Sequence, residues 1–542
     1  MAAPVGNGLI DVGLYTVAMD AAAARSLAAA ALVTTLVVGG GLFQQPGGML
    51  GYAGAEMWGH AWVQWWHGEA LPAWPRGTSL AVGAERWPVI DPLWTLLLAA
   101  LGRVVGVVTA WNIGQLAAVV VAFLGGSALA RREGGEPLIG GLALALAPAF
   151  MGSLASGLTE DAMVGLAAAG LGLVGRPGWR TGVLAGLALG LLAGCGLLLA
   201  WQVAVVAVAF SLVAVTRDRR TLPSTLVAGG IALVLALPVA LSQGSRLAGE
   251  GHRLGVAATR VEPLWRLNPW RGVDLASLLV PGPQDPGEAL VRIHPGYLGW
   301  SLLGLAMIGG RSRWWWVLLG AVLVAPGDAL SFAGRPLELG NPAARLLDLL
   351  PGGSLVNHHG RLLLVGAIAL SVLAARGAAR LRARWGPRAV LGVTVLVAID
   401  LVLLAPGGAP LPVADPTPPD VLTRLEGLPT GPMIVLPAGG PGVHFQRPLF
   451  DQRVHRRPLL INPTRPGLPA PLDRTPTGRW LAGLGAGAAP PPGELDFGPA
   501  ALLFVAPPLV EPAADVLGPP TRRGRDGAVW DLAAARRAKL RR

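Results

Sequence analysis

The residues that could do chemistry fall in three short stretches. The first is GYAGAEMWGHAWVQWWHGEALPAWPRGTSL, residues 51–80. Read as a helix from Glu56 to Glu69, at about 100° per residue, it puts Glu56, His60 and His67 within about 40° of one another and Trp58, Trp62, Trp65 and Trp66 on the other side. One face offers a carboxylate and two imidazoles, the groups that accept and pass protons or ligate metals. The other suits a lipid headgroup region. Glu69 falls on the tryptophan side. The second stretch is Ser156-Gly157-Leu158-Thr159-Glu160-Asp161, whose two acids are the only ones between Glu136 and Asp218. The third is Asn357-His358-His359-Gly360-Arg361, where a guanidinium next to two imidazoles suits a phosphate. Each has a plainer reading: an interfacial anchoring helix with a solvated polar face, a helix N-cap at Thr159 with acids in the first turn, and an arginine snorkelling at an interface. Asp400 lies inside an apolar run and is a functional suspect on that ground.

The elements that must hold these residues are set by composition. The chain has 542 residues, 53% hydrophobic and only 14% charged, against about 25% charged in soluble proteins. It is therefore expected to be an integral membrane protein. The basic excess, 43 − 31 = +12, does not point to nucleic acid, because the arginines come in twos and threes between apolar runs. Cys195 stands alone, which leaves no internal disulfide and no cysteine-rich metal site. The N-terminus lacks an early basic cluster, and the first span is expected to serve as its own uncleaved signal.

Eleven spans are expected near 26–44, 110–130, 137–156, 161–176, 181–197, 198–216, 223–243, 297–311, 314–331, 358–376 and 389–406. With the N-terminus cytoplasmic, every inner connection carries arginine, from Arg25 and Arg131/Arg132 to the cluster Arg376–Arg388. Counting Val89–Val108 as a span would invert this pattern and bury Arg103, so that run is read as an interfacial or re-entrant helix. The loops 45–109, 157–160, 244–296 and 332–357 then face outward, as does everything after the last span. Residues 407–542 are rich in Pro and Gly. A helix near Asp420–Leu428 and strand-like runs at Met433–Leu436, Ala501–Ala506 and Ala528–Leu532 predict a small α/β domain outside the membrane. The fold class is thus mainly α: residues 1–406 form a polytopic helical membrane domain, and 407–542 an extracytoplasmic α/β domain.

The order of these features resembles the GT-C superfamily of polytopic membrane glycosyltransferases, in particular a bacterial branch. In that branch the first span is followed by an acid, a His-x-Trp-x-x-Trp-Trp helix and a Tyr/Phe-Pro-x-Gly-x-x-Leu segment. Here these are Glu56, His60–Trp66 and Trp74-Pro75-Arg76-Gly77-Thr78-Ser79-Leu80. A Ser-Gly-x-x-Glu turn matches Ser156–Glu160, and an arginine-led helix matches Arg361 to Leu381. A Leu-Pro strand and a Gln…His-x-x-Pro-Leu motif match Val435-Leu436-Pro437 and Gln452…His455-Arg456-Arg457-Pro458-Leu459. The branch usually has Asp as its first-loop acid; this chain has Glu56, one methylene longer.

The resemblance implies inverting transfer of a sugar from a polyprenyl-phosphate donor to a glycan, lipid or protein acceptor of the cell envelope, at the outer face of the inner membrane. It implies Glu56 as catalytic base, with Glu160 and Asp161 as supporting acids. His60, Trp62, Trp66, His358, His359 and Arg361 are expected at the donor lipid phosphate or substrate. A divalent cation, Mg or Mn, is a further expectation, with Glu56, His60, Glu160 and Asp161 as its candidate ligands. The competing classes are a transporter or flippase of lipid-linked glycans, disfavoured by spans nearly free of acids, and a non-catalytic envelope scaffold.

Overall fold

The computed structural model describes residues 21–70, 91–254, 272–281, 295–437 apart from 348, 351–352, 354–355, 357 and 407–408, 446–460 and 470–535. Trp74–Leu80 and Asn357 lie outside the described residues.

The apolar runs fold as helices, because in lipid a backbone must satisfy its own hydrogen bonds. Helix α1 (Ala21–Val38) leads to a first loop holding strand β1 (Met49–Leu50), helix α2 (Met57–Ala70) and helix α3 (Pro92–Val105). There follow α4 (Val107–Arg132), α5 (Pro137–Ala145), α6 (Pro148–Ser156), α7 (Val164–Leu171), α8 (Trp179–Cys195), α9 (Leu197–Arg217) and α10 (Leu222–Leu254). Then come α11 (Trp300–Gly309), α12 (Trp314–Val324), a hairpin of β2 (Ala329–Phe332) and β3 (Arg335–Gly340), and α13 (Leu362–Trp385) with α14 (Pro387–Ala398). Helix α14 runs on as a π-turn, Ile399–Leu404.

A helix stands at each of the eleven expected spans. Five stretches among the described residues are long and apolar enough to cross a bilayer: Val107–Arg132, Leu197–Arg217, Arg219–Leu241, His359–Trp385 and Pro387–Leu404. The span expected at 137–156 is a pair, α5 and α6, bent by 40°, with Pro148 at the first turn of α6, where a proline is tolerated. The one expected at 161–176 is only the eight residues of α7, about 12 Å of helix, which does not cross a bilayer in one piece. The expected division of 181–216 falls at Gly196, between α8 and α9.

The apolar core is built around α13, which packs on α5, α11 and α12, while α4 packs on α1, α3, α5 and α7. Arginine turns from distant parts of the chain meet at one end of this bundle. Arg313 pairs with Glu133 and Arg382 with Glu136, each at 2.9 Å, and Arg176 donates to the carbonyl of Arg132. The opposite end of α13, about 36 Å away for a 24-residue helix, begins at Arg361. Asp400 accepts from the Tyr297 hydroxyl at 2.5 Å and from the amide and hydroxyl of Ser301 at 2.7 and 2.5 Å. It is a buried fastener between the π-turn and the start of α11.

The last part of the chain carries the expected α/β layer. Strands β5 (Met433–Leu436), β6 (Leu502–Val505), β7 (Arg522–Gly524) and β8 (Gly527–Asp531) form a sheet of order β5-β6-β8-β7. The β5 and β6 strands are parallel and the other pairs antiparallel. Residues alternate between two faces, as the strand period requires. Ile434, Leu436, Leu503, Val505 and Trp530 pack with helices α16 (Pro476–Gly483) and α17 (Val510–Leu517). Met433, Val435, Leu502, Phe504 and Val529 face Trp62 and Val63 of α2 and Leu449 of α15 (Arg447–His455). The helix expected at Asp420–Leu428 is shorter, a single turn at Asp420–Thr423; Gly427, at φ 77°, bends the chain away soon after. Strand β4 (Val413–Ala414) pairs with β1, so the start of this layer is tied to the first loop.

Candidate active site

The site starts from the way the first loop is fastened. Asn112 of α4 accepts from the amide of Leu50 at 2.8 Å and donates to the carbonyl of Gly48 at 2.9 Å, and Trp111 donates to the carbonyl of Leu50. These contacts fix the residues leading into α2. The chain then meets the turn after α6, where the amide of Tyr52 donates to the carbonyl of Ala155. Gly157 makes that meeting possible: its φ is 76°, and a Cβ there would lie 2.4 Å from the Cα of Met57. On the far side of the turn a Cβ at Gly196 would stand 1.9 Å from the carbonyl oxygen of Glu160. Two glycines therefore let three chain segments close on one another.

That closure brings Glu56 and His60 to Glu160 and Asp161, and the turn at the start of α13 adds Arg361. His60 Nε2 lies 3.9 Å from Glu56 Oε2 and 3.7 Å from Glu160 Oε2, while its Nδ1 is 2.9 Å from the Thr159 hydroxyl. Arg361 Nη2 pairs with Glu160 Oε1 at 2.7 Å, and its Nε lies 3.9 Å from Asp161 Oδ2. Ser153 donates to Asp161 Oδ2 at 2.9 Å. Asp91, the residue before α3, is buried and accepts from Thr95 at 2.8 Å. His60, Thr159 and Glu160 act on its ionisation, so it belongs to the same cluster.

The acids do not have equal character. Glu160 is buried, which by itself raises its pKa, but Arg361 and His60 outweigh that and bring it down to about 2. It is held ionised. Burial raises Asp161 to about 6 against the pull of Arg361, with Glu160 adding to the rise, and burial likewise raises Asp91 to about 6 against the pull of His60. The Glu56 side chain is 38% accessible, and the protein around it withdraws the rest from water. That low-polarity setting raises its carboxyl above the usual value; Glu160 adds to the rise, and His60 and Arg361 oppose it. Among the described residues, Asp91, Glu160 and Asp161 each keep one buried carboxylate oxygen without a hydrogen-bond partner. Leaving such oxygens unmet is costly, and a ligand carrying hydroxyls would meet them.

The other expected site residues are placed differently. Trp62 is 1% exposed, and its indole N–H donates to Gln452 Oε1 at 2.8 Å. Trp66 stacks on Trp62 with centroids 6.3 Å apart, and Trp58 meets Phe450 at 5.0 Å, with Arg447 over its ring. The tryptophan face of α2 is thus covered by the α/β layer rather than turned to headgroups, and it joins the His-x-Trp-x-x-Trp-Trp motif to the Gln452 motif. His67 is buried beside Trp66 and away from the acids, where burial lowers its pKa to about 4. His358 and His359 stand on the turn that ends at Arg361, and His359 is buried. Arg361, expected at a phosphate, is already the counter-ion of Glu160. Asp91 was missed because Asp91-Pro92 reads from sequence as an ordinary helix start.

The expected divalent cation does not fit this arrangement. The guanidinium of Arg361 already pairs with Glu160 at 2.7 Å and lies 3.9 Å from Asp161, so it supplies the positive charge that a divalent cation held by these acids would supply. No group of three or more His, Cys, Asp or Glu among the described residues is arranged to hold a metal ion.

No protein-family model and no curated protein matches the sequence. Solved structures do. A mutant of the arabinofuranosyltransferase AftD from Mycobacteria aligns over 89% of this chain and 36% of its own length, at 19% identity and a TM-score of 0.50. The Archaeoglobus fulgidus oligosaccharyltransferase aligns over 89% of this chain and 69% of its own, at 13% identity and a TM-score of 0.46. ArnT from Cupriavidus metallidurans aligns over 94% and 98%, at 15% identity and a TM-score of 0.40. This chain spans about a third of the length of the arabinofuranosyltransferase AftD, whose fold it shares over that part.

Proposed function

We propose that this protein is a membrane glycosyltransferase that moves a sugar from a polyprenyl-phosphate donor to a cell-envelope acceptor at the outer face of the membrane. The observation that carries this reading is the convergence of Glu56, with its raised pKa, on a buried Glu160–Arg361 pair at the end of the bundle opposite the arginine turns. The arginine turns gathered at the other end support an outward position for the site and the α/β layer, since the positive-inside rule assigns such turns to the cytoplasm.

In this mechanism the acceptor hydroxyl oxygen attacks the anomeric carbon from the face opposite the phosphate. The new glycosidic C–O bond forms as the bond to phosphate breaks, so the anomeric configuration inverts. The hydroxyl proton passes to Glu56, and polyprenyl phosphate leaves with the bonding electron pair. A carboxyl whose pKa lies nearer the working pH is a better proton acceptor in such a step. His60 holds Glu56 in place, and the Glu160–Arg361 pair fixes the turn beneath it. The N-terminus of α13, behind the turn His358–Arg361, supplies the positive potential for the departing phosphate.

The test uses full-length protein in lipid nanodiscs. It is given radiolabelled polyprenyl-phosphate arabinofuranose, mannose and glucose in turn, with a membrane glycan extract as acceptor. Label is expected to leave one of the three donors for the glycan fraction. Label that stays in all three donors while membrane-inserted protein is present contradicts the reading.

A further inference from the structure

The β2–β3 hairpin stands at a level that helix lengths define. Helix α12 leaves the arginine-turn end of the bundle, where Arg313 and the indole of Trp314 both bind Glu133, and it ends at Val324 after 11 residues. That is about 16 Å of helix, against about 30 Å of hydrocarbon in a bilayer. The stretch Pro387–Leu404 starts from the same end, runs for 18 residues and still exposes Leu403 and Leu404 at its far end. The lipid-facing surface of the bundle therefore continues about 10 Å beyond the end of α12. What α12 leads into is the hairpin.

The hairpin is mounted directly on that helix. The Asn341 side chain donates to the carbonyl of Leu323 at 2.8 Å, and the Asn341 amide closes the hairpin base on the carbonyl of Asp328 at 2.9 Å. The turn is the pair Ala333-Gly334, at φ 51° and 76°, the left-handed conformation that suits a two-residue hairpin. Both amides of that turn donate to the carboxylate of Asp274, at 3.0 and 2.9 Å, and the amide of Leu275 donates to the carbonyl of Ser331 at 2.9 Å. These backbone groups find protein partners in place of water, as a backbone close to hydrocarbon must.

The surface that the hairpin presents is apolar. Phe332 is the cross-strand partner of Arg335, so by the two-residue strand period Phe332, Arg335, Leu337 and Leu339 share one face. All four are exposed, Phe332 by 54% and Leu339 by 59%. On α12 the exposed Trp316, Leu319 and Leu323 recur at helical spacing on the side turned to lipid. The hairpin adds three large apolar side chains just beyond the end of that helix. Such a face marks contact with a membrane or a partner, and its level selects the membrane. Where acyl chains meet headgroups, the three side chains leave water while the guanidinium of Arg335 reaches phosphate.

We propose that the β2–β3 hairpin is seated in the bilayer leaflet at the Arg361 end of the bundle, the outer leaflet in the orientation proposed above, with Phe332, Leu337 and Leu339 among the acyl chains. The inference does not depend on the chemistry of the acids. It bears on the site because the hairpin base adjoins it: a Cβ at Gly327 would lie 3.5 Å from Nδ1 of His359. A hairpin seated there brings the leaflet up to the turn that carries Arg361.

Cys195 is the sole cysteine and is buried, so a Cys195→Ala background accepts single nitroxide labels at exposed positions. Phe332→Cys and Leu339→Cys probe the hairpin, Leu319→Cys the lipid side of α12, and Asp526→Cys the turn between β7 and β8. The full chain is placed in vesicles of phosphatidylcholine and phosphatidylglycerol. Collision of each label with oxygen, which concentrates among acyl chains, is compared with collision with a water-soluble nickel chelate. The labels at Phe332 and Leu339 are expected to match that at Leu319, with oxygen high and nickel low, and the label at Asp526 to show the reverse. Wild-type protein in vesicles containing a diazirine phospholipid is expected to take photolabel within residues 329–340. The proposal is overturned if nickel reaches either hairpin label as freely as it reaches Asp526, the result for a hairpin in water. It is also overturned if both reagents are excluded, the result for a hairpin covered by a second copy or by another part of the chain. Wild-type protein without photolabel in 329–340 overturns it with no substitution made.

Discussion

Glu56 and the acids around it respond to pH in opposite senses. Glu56 must be ionised to accept a proton, and its pKa is raised, so transfer should fall as pH drops through a value above the ordinary glutamate range. Asp91 and Asp161 titrate near 6 in the fold against 3.8 in the free residue. Between those values the folded chain holds protons that the unfolded chain has released, so the contribution of these two acids is full below about 4 and declines as pH rises to about 6, whereas that of Glu160 is present above its ordinary value and lost only as pH falls towards about 2. A pH series of initial rate and melting temperature should therefore show the rate climbing while the melting temperature falls. Two curves that rise together would contradict this account of the acids. At this scale sequence reading went far: Glu56, His60, Glu160, Asp161 and Arg361 were all visible as scarce charges in an apolar chain. It failed where partners decide the role. Nothing in Arg361's neighbours along the chain says that its guanidinium neutralises Glu160, and Asp91 was hidden behind its service as a helix start.

The elements explain how five residues from three segments reach one cluster. The turn at Gly157 is constrained twice over, because its left-handed φ and the 2.4 Å approach to Met57 both exclude a side chain. Gly157→Ala is expected to push the start of α2 away and carry Glu56 with it. A displacement of about 1 Å at a reacting group can cost about 100-fold in rate, so kcat should fall by about that factor while the protein still inserts in the membrane. Unchanged kcat would show that α2 is positioned by other contacts. The α2 amphipathicity was legible, but its meaning was not. An indole-rich face fits a headgroup layer and a protein interface equally well, and only the hydrogen bond from Trp62 to Gln452, 390 residues on, separates the two. Span positions were legible because apolar runs and arginine turns mark them, but several ends were not: α1 stops at Val38, α12 stops at Val324 and α13 runs on to Trp385, against expected ends at 44, 331 and 376. The break between α5 and α6 was not legible, since Pro148 sits in an unbroken apolar run.

Across the whole molecule, charge is divided between the two ends of a helical bundle. Among the described residues, the arginine turns gather with Glu133 and Glu136 at one end, and Glu56, Glu160 and Asp161 gather near buried Arg361 at the other. Because Arg361 already supplies the positive charge that a divalent cation would supply there, transfer is expected to persist in excess EDTA. Loss of transfer in EDTA with recovery on adding Mg or Mn would mean that the acids rearrange to take a metal.

The central claim is that Glu56 is the proton acceptor for sugar transfer, and it is tested most directly by single-turnover transfer with Glu56→Gln beside wild type at saturating donor. The substitution keeps size and hydrogen bonding while removing basicity, so the rate should drop by about 10²- to 10⁴-fold, with donor binding and melting temperature unchanged. Transfer at the wild-type rate would contradict the assignment.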